Sequence, residues 1–182
     1  MHLTNLSENL LKTLIIGFFG LFMMAGSAHA QKKVPNAPFK VGKKTVHLSR
    51  FQGKYRILWL YSTWCPSCGV GLKELAKKQP SLLKNKVTVI ALRNYNNGGY
   101  PKLSGTINNF IKKFLKNPAV VKAKNWEFGV ASKKLEKKYN PKHDPDIFFL
   151  INKKGQVVKQ GTALGAEIKE IATFINKTAS SS

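Results

Sequence analysis

The chain has 182 residues, with 31 Lys plus Arg against 8 Asp plus Glu, a formal net charge of +23 and two cysteines. Apolar content of 43% excludes a disordered chain, which would lack the surface to offset its ordering entropy, and two cysteines exclude a disulfide-dense scaffold and cannot alone close a four-ligand zinc site. The length suits one domain with a short appendage, and the charge leaves open either an acidic partner or a solubilising coat.

Residues 1–30 read as a secretory leader. Lys12 precedes an uncharged, mostly apolar run from Leu14 to Ala25, and Ala28 and Ala30 give the small-residue pattern of a cleavage site. The run is well short of the roughly 20 residues that span a bilayer. Cleavage after Ala30 is therefore expected, with an uncleaved membrane anchor as the alternative. That places the domain at residues 31–182 in an oxidising, extracytoplasmic compartment, periplasmic or equivalent.

Pro35 and Pro38 mark an extended lead-in, and Gly42 sits in a turn between strand-like pieces at Val41 and at Thr45–Leu48. The continuous apolar run Ile57–Tyr61 suits a central strand buried on both faces. A helix is predicted from the Cys65–Cys68 segment to about Lys78, ended by Pro80, and Val87–Leu92 is a second buried strand. Asn94–Gly105 is rich in Asn and Gly and reads as a loop. Ile107, Phe110, Ile111, Phe114 and Leu115 repeat at helical spacing, with Lys112, Lys113 and Lys116 on the wet side and Pro118 as the stop. A further helix is predicted over Val130–Tyr139, with Ala131, Leu135 and Tyr139 on one face. Ile147–Ile151 and Gln156–Gln160 form a hairpin about Asn152–Gly155, and Leu164, Ile168, Ile171, Ala172 and Ile175 form a last amphipathic helix. Helices between apolar strands imply parallel crossovers, and the closing hairpin adds antiparallel strands, so the expected class is α/β with one mixed sheet.

Two cysteines separated by two residues close a small loop, which constrains the unfolded chain little. A redox pair is the better reading. Cys65 at a helix N-terminus would face unpaired N–H groups and the positive end of the helix dipole, which lowers a thiol pKa. Pro66 suits a first turn that requires no backbone donor. Cys68, one turn on, could resolve a mixed disulfide formed at Cys65. The rival is half of a metal site, but only His47 and His143 remain beyond the leader as further imidazoles, at unhelpful spacing. Covalent haem attachment needs His after the second cysteine, and Gly69 stands there.

Ser62-Thr63-Trp64-Cys65-Pro66-Ser67-Cys68 resembles the active-site segment of the thioredoxin superfamily, and is similar to its exported TlpA-like branch of DsbE/CcmG and ResA type. Ala37-Pro38-Phe39 and Thr45 through Lys54 resemble that branch's N-terminal hairpin and its L-x-x-F-x-G-K segment. His143-Asp144-Pro145-Asp146 followed by Ile147–Ile151 resembles its cis-proline segment and strand. The resemblance covers about residues 35–177. It implies a thioredoxin-like fold, with a central mixed sheet, flanking helices and an N-terminal β-hairpin extension. It implies Cys65 as nucleophile, Cys68 as resolving thiol, and Trp64, Pro66, Ser67, Asp144 and Pro145 around the substrate. Pro145 is expected to be cis, and the backbone of Asp144 is expected to hold a substrate strand. The activity implied is thiol–disulfide exchange with exported proteins, in the reducing direction, toward apocytochrome c thiols or another exported protein. A membrane thiol–disulfide donor would recharge the pair, and no cofactor or metal is implied beyond the dithiol. Two features depart from the family pattern. Trp59 occupies the place, six residues before Cys65, where cytosolic thioredoxins carry a buried Asp, and neither Glu74 nor Glu127 can be placed as its substitute. Residues 96–104 look like a small insertion.

Two alternatives differ in class. A disulfide-forming oxidase of DsbA type would need a large helical insertion, and the stretch between Leu92 and Asp144 is too short for it. A non-catalytic basic module attracted to acidic surfaces would use the charge alone. Only three of the 31 basic residues are Arg, and the lysines are spread over several helices. Phosphate and base recognition leans on the Arg fork, so a solvated coat with weak attraction to anionic surfaces is favoured over a specific nucleic-acid site.

Overall fold

The computed structural model describes residues 36–103 and 105–178, and the expected leader lies outside them. The described residues form a seven-stranded sheet of order β2-β1-β5-β4-β3-β6-β7. Its strands are β1 (Pro38–Val41), β2 (Lys44–His47), β3 (Tyr55–Tyr61), β4 (Val87–Arg93), β5 (Trp126–Ala131), β6 (Asp146–Ile151) and β7 (Val157–Thr162). The helices are α1 (Pro66–Lys77), α2 (Gln79–Lys84), α3 (Ile107–Phe114), α4 (Lys133–Tyr139) and α5 (Ile168–Lys177). Strands β3, β4 and β5 run parallel, while β6 pairs antiparallel with β3 and β7, and β1 with β2 and β5. This is the thioredoxin-like mixed sheet with an N-terminal hairpin.

Alternation along each strand divides the core into two layers. From β3, Ile57, Trp59 and Tyr61 pack with Leu72 and Leu75 of α1, Phe110 and Ile111 of α3, and Ile171 and Ile175 of α5. Leu58 and Leu60 point the other way, onto Phe39, Leu48, Phe51, Leu135 and Tyr139. Each such side chain, fully buried, contributes about 1.5–3 kcal/mol, so the sheet is fixed from both faces. β3 is an interior strand, buried from Arg56 to Tyr61, and the turn that leaves its C-terminal end is closed by Cys65 N donating to the Ser62 carbonyl at 3.1 Å.

Three boundaries differ from the sequence reading. Pro80 does not simply end the long helix. Helix α1 closes at Lys77, and Pro80 sits in the first turn of the separate helix α2, where its missing N–H goes unneeded. The helix expected over Val130–Tyr139 begins only at Lys133, capped by the Ser132 hydroxyl accepting from Leu135 N. Val130 and Ala131 instead belong to β5 and pair with Lys40 and Phe39. Gly129 permits that pairing, since a Cβ there would stand 2.5 Å from the Lys40 carbonyl oxygen. Leu164 is buried but precedes α5. No helix among the described residues is long and apolar enough to cross a membrane.

Candidate active site

The turn after β3 delivers Cys65 as the N-cap residue of α1, with Pro66 as its first helical residue and Cys68 one turn in. Both cysteines are thiols and both are buried, Cys68 completely. The Ser67 hydroxyl lies 3.0 Å from Cys65 Sγ and donates to Asp146 Oδ2 at 2.8 Å. The Cys68 thiol donates to the Pro145 carbonyl at 3.1 Å. The two sulfurs and an Asp146 carboxylate oxygen all lie within 4.8 Å of one another.

Asp146 is the carboxylate that sequence reasoning did not place. It opens β6, sits opposite Tyr61 of β3, and is 3% exposed. Its Oδ1 accepts from the Trp59 indole at 2.8 Å and from Leu164 N at 3.3 Å. The buried acid has thus moved from β3 to the neighbouring strand, and the Trp that took its usual place donates to it. The available signal was an Asp directly after Pro145 at the start of an apolar run, where a charge is costly unless hydrogen-bonded. Glu74 and Glu127 lie elsewhere, paired with Lys77 and Arg50.

The two thiols are driven apart. Cys65 falls from 9.0 to about 6, chiefly through the hydrogen bond from the Cys68 thiol, then through its polar contact with Ser67 Oγ and the bond from the Cys68 N–H; burial and the Asp146 charge oppose this. Cys68 is pushed up, first by burial, then by donating to Cys65 and by the nearby Asp146 and Cys65 charges. The Cys65 sulfur is therefore the one that ionises first, and Cys68 keeps its proton. Cys65, Cys68 and Asp146 could also approach a metal ion, but coordination through the carboxylate would compete with the bonds from Trp59, Ser67 and Leu164.

Trp64, Pro66 and Ser67 flank the cysteines, and Asp144 and Pro145 lead into Asp146. The Asp144–Pro145 bond is trans, not the expected cis, as are all peptide bonds among the described residues. The chain turns here through His143, at φ +57°, and through the side chain of Asn140. Asn140 accepts from Asp144 N at 2.8 Å and donates to the Asp144 carbonyl at 2.7 Å, and Asn94 adds a donor to that carbonyl at 3.2 Å. The Asp144 backbone, expected to hold a substrate strand, is thus engaged within the chain. Asn94 and Asn140 are fully buried and bonded to each other, tying the ends of β4 and α4 to the proline segment. Neither was anticipated, because Asn in a loop carries no signal of burial. His143 pairs with Glu136 at 2.9 Å and takes no part in the dithiol.

Residues 96–103 of the expected insertion fold onto the segment before Cys65. Buried Asn97 accepts from Thr63 N at 2.9 Å through its side chain, and its carbonyl accepts from the Trp64 indole at 2.8 Å. Tyr100 meets Trp64 edge-on at 4.9 Å, and Tyr95, Tyr100 and Leu103 are left exposed beside the site.

Fold and site together define a thioredoxin-like protein with a Cys-x-x-Cys dithiol. The chain belongs to the AhpC/TSA family, whose model matches residues 30–160. Among solved structures it is similar in fold to a thiol:disulfide interchange protein DsbE from Chlorobium tepidum, with TM-score 0.61, 19% identity and coverage of 82% of this chain and 96% of that one. A SCO1/SenC family lipoprotein from Bacillus anthracis gives TM-score 0.57 and 18% identity, with 82% and 96% covered. A secreted disulfide oxidoreductase of Mycobacterium tuberculosis gives 0.53 and 16%, with 79% and 95% covered. Comparison with curated proteins finds no match.

Proposed function

We propose that this protein is an extracytoplasmic thiol–disulfide oxidoreductase that reduces disulfides in exported proteins, apocytochrome c among them. The observation that carries this reading is the dithiol with its thiols held at opposite ends of the pKa range beside a buried carboxylate. Cys65 thiolate attacks one sulfur of a substrate disulfide, forming a Cys65–substrate bond and releasing a substrate thiolate that takes a proton. Cys68 then loses its proton toward Asp146 and attacks Cys65 Sγ. The mixed disulfide breaks, the second substrate thiol leaves, and the Cys65–Cys68 disulfide holds the oxidising equivalents. Two electrons pass to the substrate, and a membrane thiol–disulfide donor returns them. The lowered Cys65 value keeps the attacking sulfur a thiolate at neutral pH. A substrate strand placed against Asp144 would exchange its backbone bonds with those now made by Asn140.

The test is a Cys68→Ser trap expressed in the native host. Mixed disulfides on Cys65 with cytochrome apoproteins support maturation. A broad set of exported proteins captured from a host lacking other reductants supports general reduction. Retained biological activity in a Cys65→Ser, Cys68→Ser double variant would overturn the enzymatic reading in favour of a basic binding module. Equilibration with glutathione separates reductant from oxidant, and N-terminal sequencing of the exported protein tests for a start at Gln31.

A further inference from the structure

At the end of the sheet opposite the dithiol lies a cavity of about 530 Å³, whose lining includes Ser49, Gln52, Arg56, Lys153, Lys154 and Gly155. Arg56 is the second residue of β3, whereas Cys65 follows that strand's other end. The Arg56 side chain is buried with the residue only 2% exposed, and its Nε and Nη2 have no hydrogen-bond partner among the described residues. These two N–H groups share one edge of the guanidinium and point in parallel, the geometry that grips two oxygens of an oxyanion. A buried charged donor left unpaired is costly, so the arrangement calls for an acceptor.

The surroundings supply none. No carboxylate lines the cavity, and no ion pair of the described residues involves Arg56. The Tyr139 hydroxyl acts on Arg56 electrostatically, but burial pushes that phenol upward, so it stays neutral. Lys153 and Lys154 add two further cations at the cavity. Gly155, at φ +78°, packs over the fork, where a Cβ would stand 3.4 Å from Arg56 Nη2.

We propose that this cavity binds an oxyanion of phosphate type carried on an organic group, gripped bidentately by Arg56 Nε and Nη2 and flanked by Lys154. Arg56 and Lys154, with no acid in the lining, suit a dianion better than one carboxylate. The volume falls within the roughly 300–1,000 Å³ of small-molecule sites and exceeds what a bare ion needs. The Gly155 turn moves aside to seat the anion on the fork. Such a site lies apart from the Cys65–Cys68 chemistry and stands or falls separately from it.

The experiment titrates the purified protein with inorganic phosphate and with glycerol phosphate at constant ionic strength, by calorimetry and by the NMR signals of the arginine Nε–H groups. Saturable binding with a shift of the Arg56 signal is expected, with glycerol phosphate the tighter ligand. Arg56→Lys keeps the charge but removes the fork and should weaken binding by about tenfold or more. Lys154→Ala, on an exposed turn, should weaken it severalfold and keeps the test decisive if the Arg56 variant does not fold. Absence of saturable binding, or binding equal in both variants with no Arg56 shift, overturns the proposal. Co-sedimentation with vesicles containing phosphatidic acid, a phosphomonoester lipid, against phosphatidylcholine alone, identifies the source. Vesicle binding lost in Arg56→Lys assigns a lipid headgroup, and soluble-ester binding with vesicle binding indifferent to Arg56 assigns a free phosphate ester. Vesicle binding without any Arg56 dependence in either arm reduces the effect to general charge attraction and sinks the site.

Discussion

The chemistry of the site rests on one proton shared unequally between two sulfurs. Cys68 has both the Pro145 carbonyl and Cys65 as acceptors, and its hydrogen bond is the largest cause of the low Cys65 value. Alkylation of Cys65 by iodoacetamide should therefore rise with a midpoint near pH 6 in the wild type, and the midpoint should move upward in Cys68→Ala. The same shift is a linkage statement. Because Cys65 ionises at lower pH in the folded dithiol than in the unfolded chain, its contribution to stability is complete above about pH 9 and is lost as pH falls through about 6. Urea unfolding of the reduced protein should show the wild type gaining on Cys65→Ser between those limits; parallel curves would refute it. Asp146→Asn keeps an acceptor for Trp59 but removes the charge. It should slow release of a mixed disulfide, on the order of 10²-fold as for loss of a general base, while lowering the Cys65 midpoint further. Stopped-flow kinetics with a chromogenic disulfide separates attack from release, and unchanged release would place the proton elsewhere.

At the scale of elements, the site is where three segments meet: the N-terminus of α1, the start of β6, and residues 96–103 of the insertion. Strand pairing places only the start of β6; the insertion and the proline segment are held by side chain-to-backbone bonds. Asn97 is the clearest case, since its carboxamide oxygen takes both the Thr63 N–H and the Thr63 hydroxyl. Asn97→Ala leaves the Thr63 N–H without that acceptor, a local cost of about 1–3 kcal/mol. The insertion should then open, seen as faster proteolytic cleavage between Tyr95 and Lys102 with little change in the global unfolding midpoint. A loop that remains resistant would mean that the Trp64–Tyr100 contact and the Trp64 indole bond to the Asn97 carbonyl suffice.

For the whole molecule, +23 acts over longer distances than any of these contacts. The charge is carried mainly by lysines dispersed over the surface, so it steers encounters without defining a footprint. Reduction of an acidic disulfide peptide should outpace that of a basic one by roughly tenfold at low ionic strength, with the two rates converging as salt screens the field. Equal rates at low salt would show that the dithiol face carries no part of the field. Among the described residues the one buried exception is Arg56, whose unpaired fork cannot be explained as coat.

The Cys-Pro-Ser-Cys segment, the order of the buried strands and the mixed sheet are legible in the sequence because each depends on local spacing. Period-two and period-3.6 apolar patterns, and Pro at a helix start, act within a few residues. Tertiary structure decided what depends on distant partners. The end of strand β5 stays extended where Phe39 and Lys40 pair with Ala131 and Val130, over a Gly129 with no Cβ in the way, and local pattern reads that end as helix. The Asp144–Pro145 bond takes its trans form among contacts from Asn140 and Asn94, on other elements. The acid beside Cys68 was visible as a letter after Pro145. Only the pairing of Tyr61 with Asp146, and the indole reaching across from Trp59, made it part of the centre. Two cysteines fix the kind of chemistry by their spacing; the fold supplies the carboxylate, because a charge acts through space on whatever the packing brings within a few ångströms.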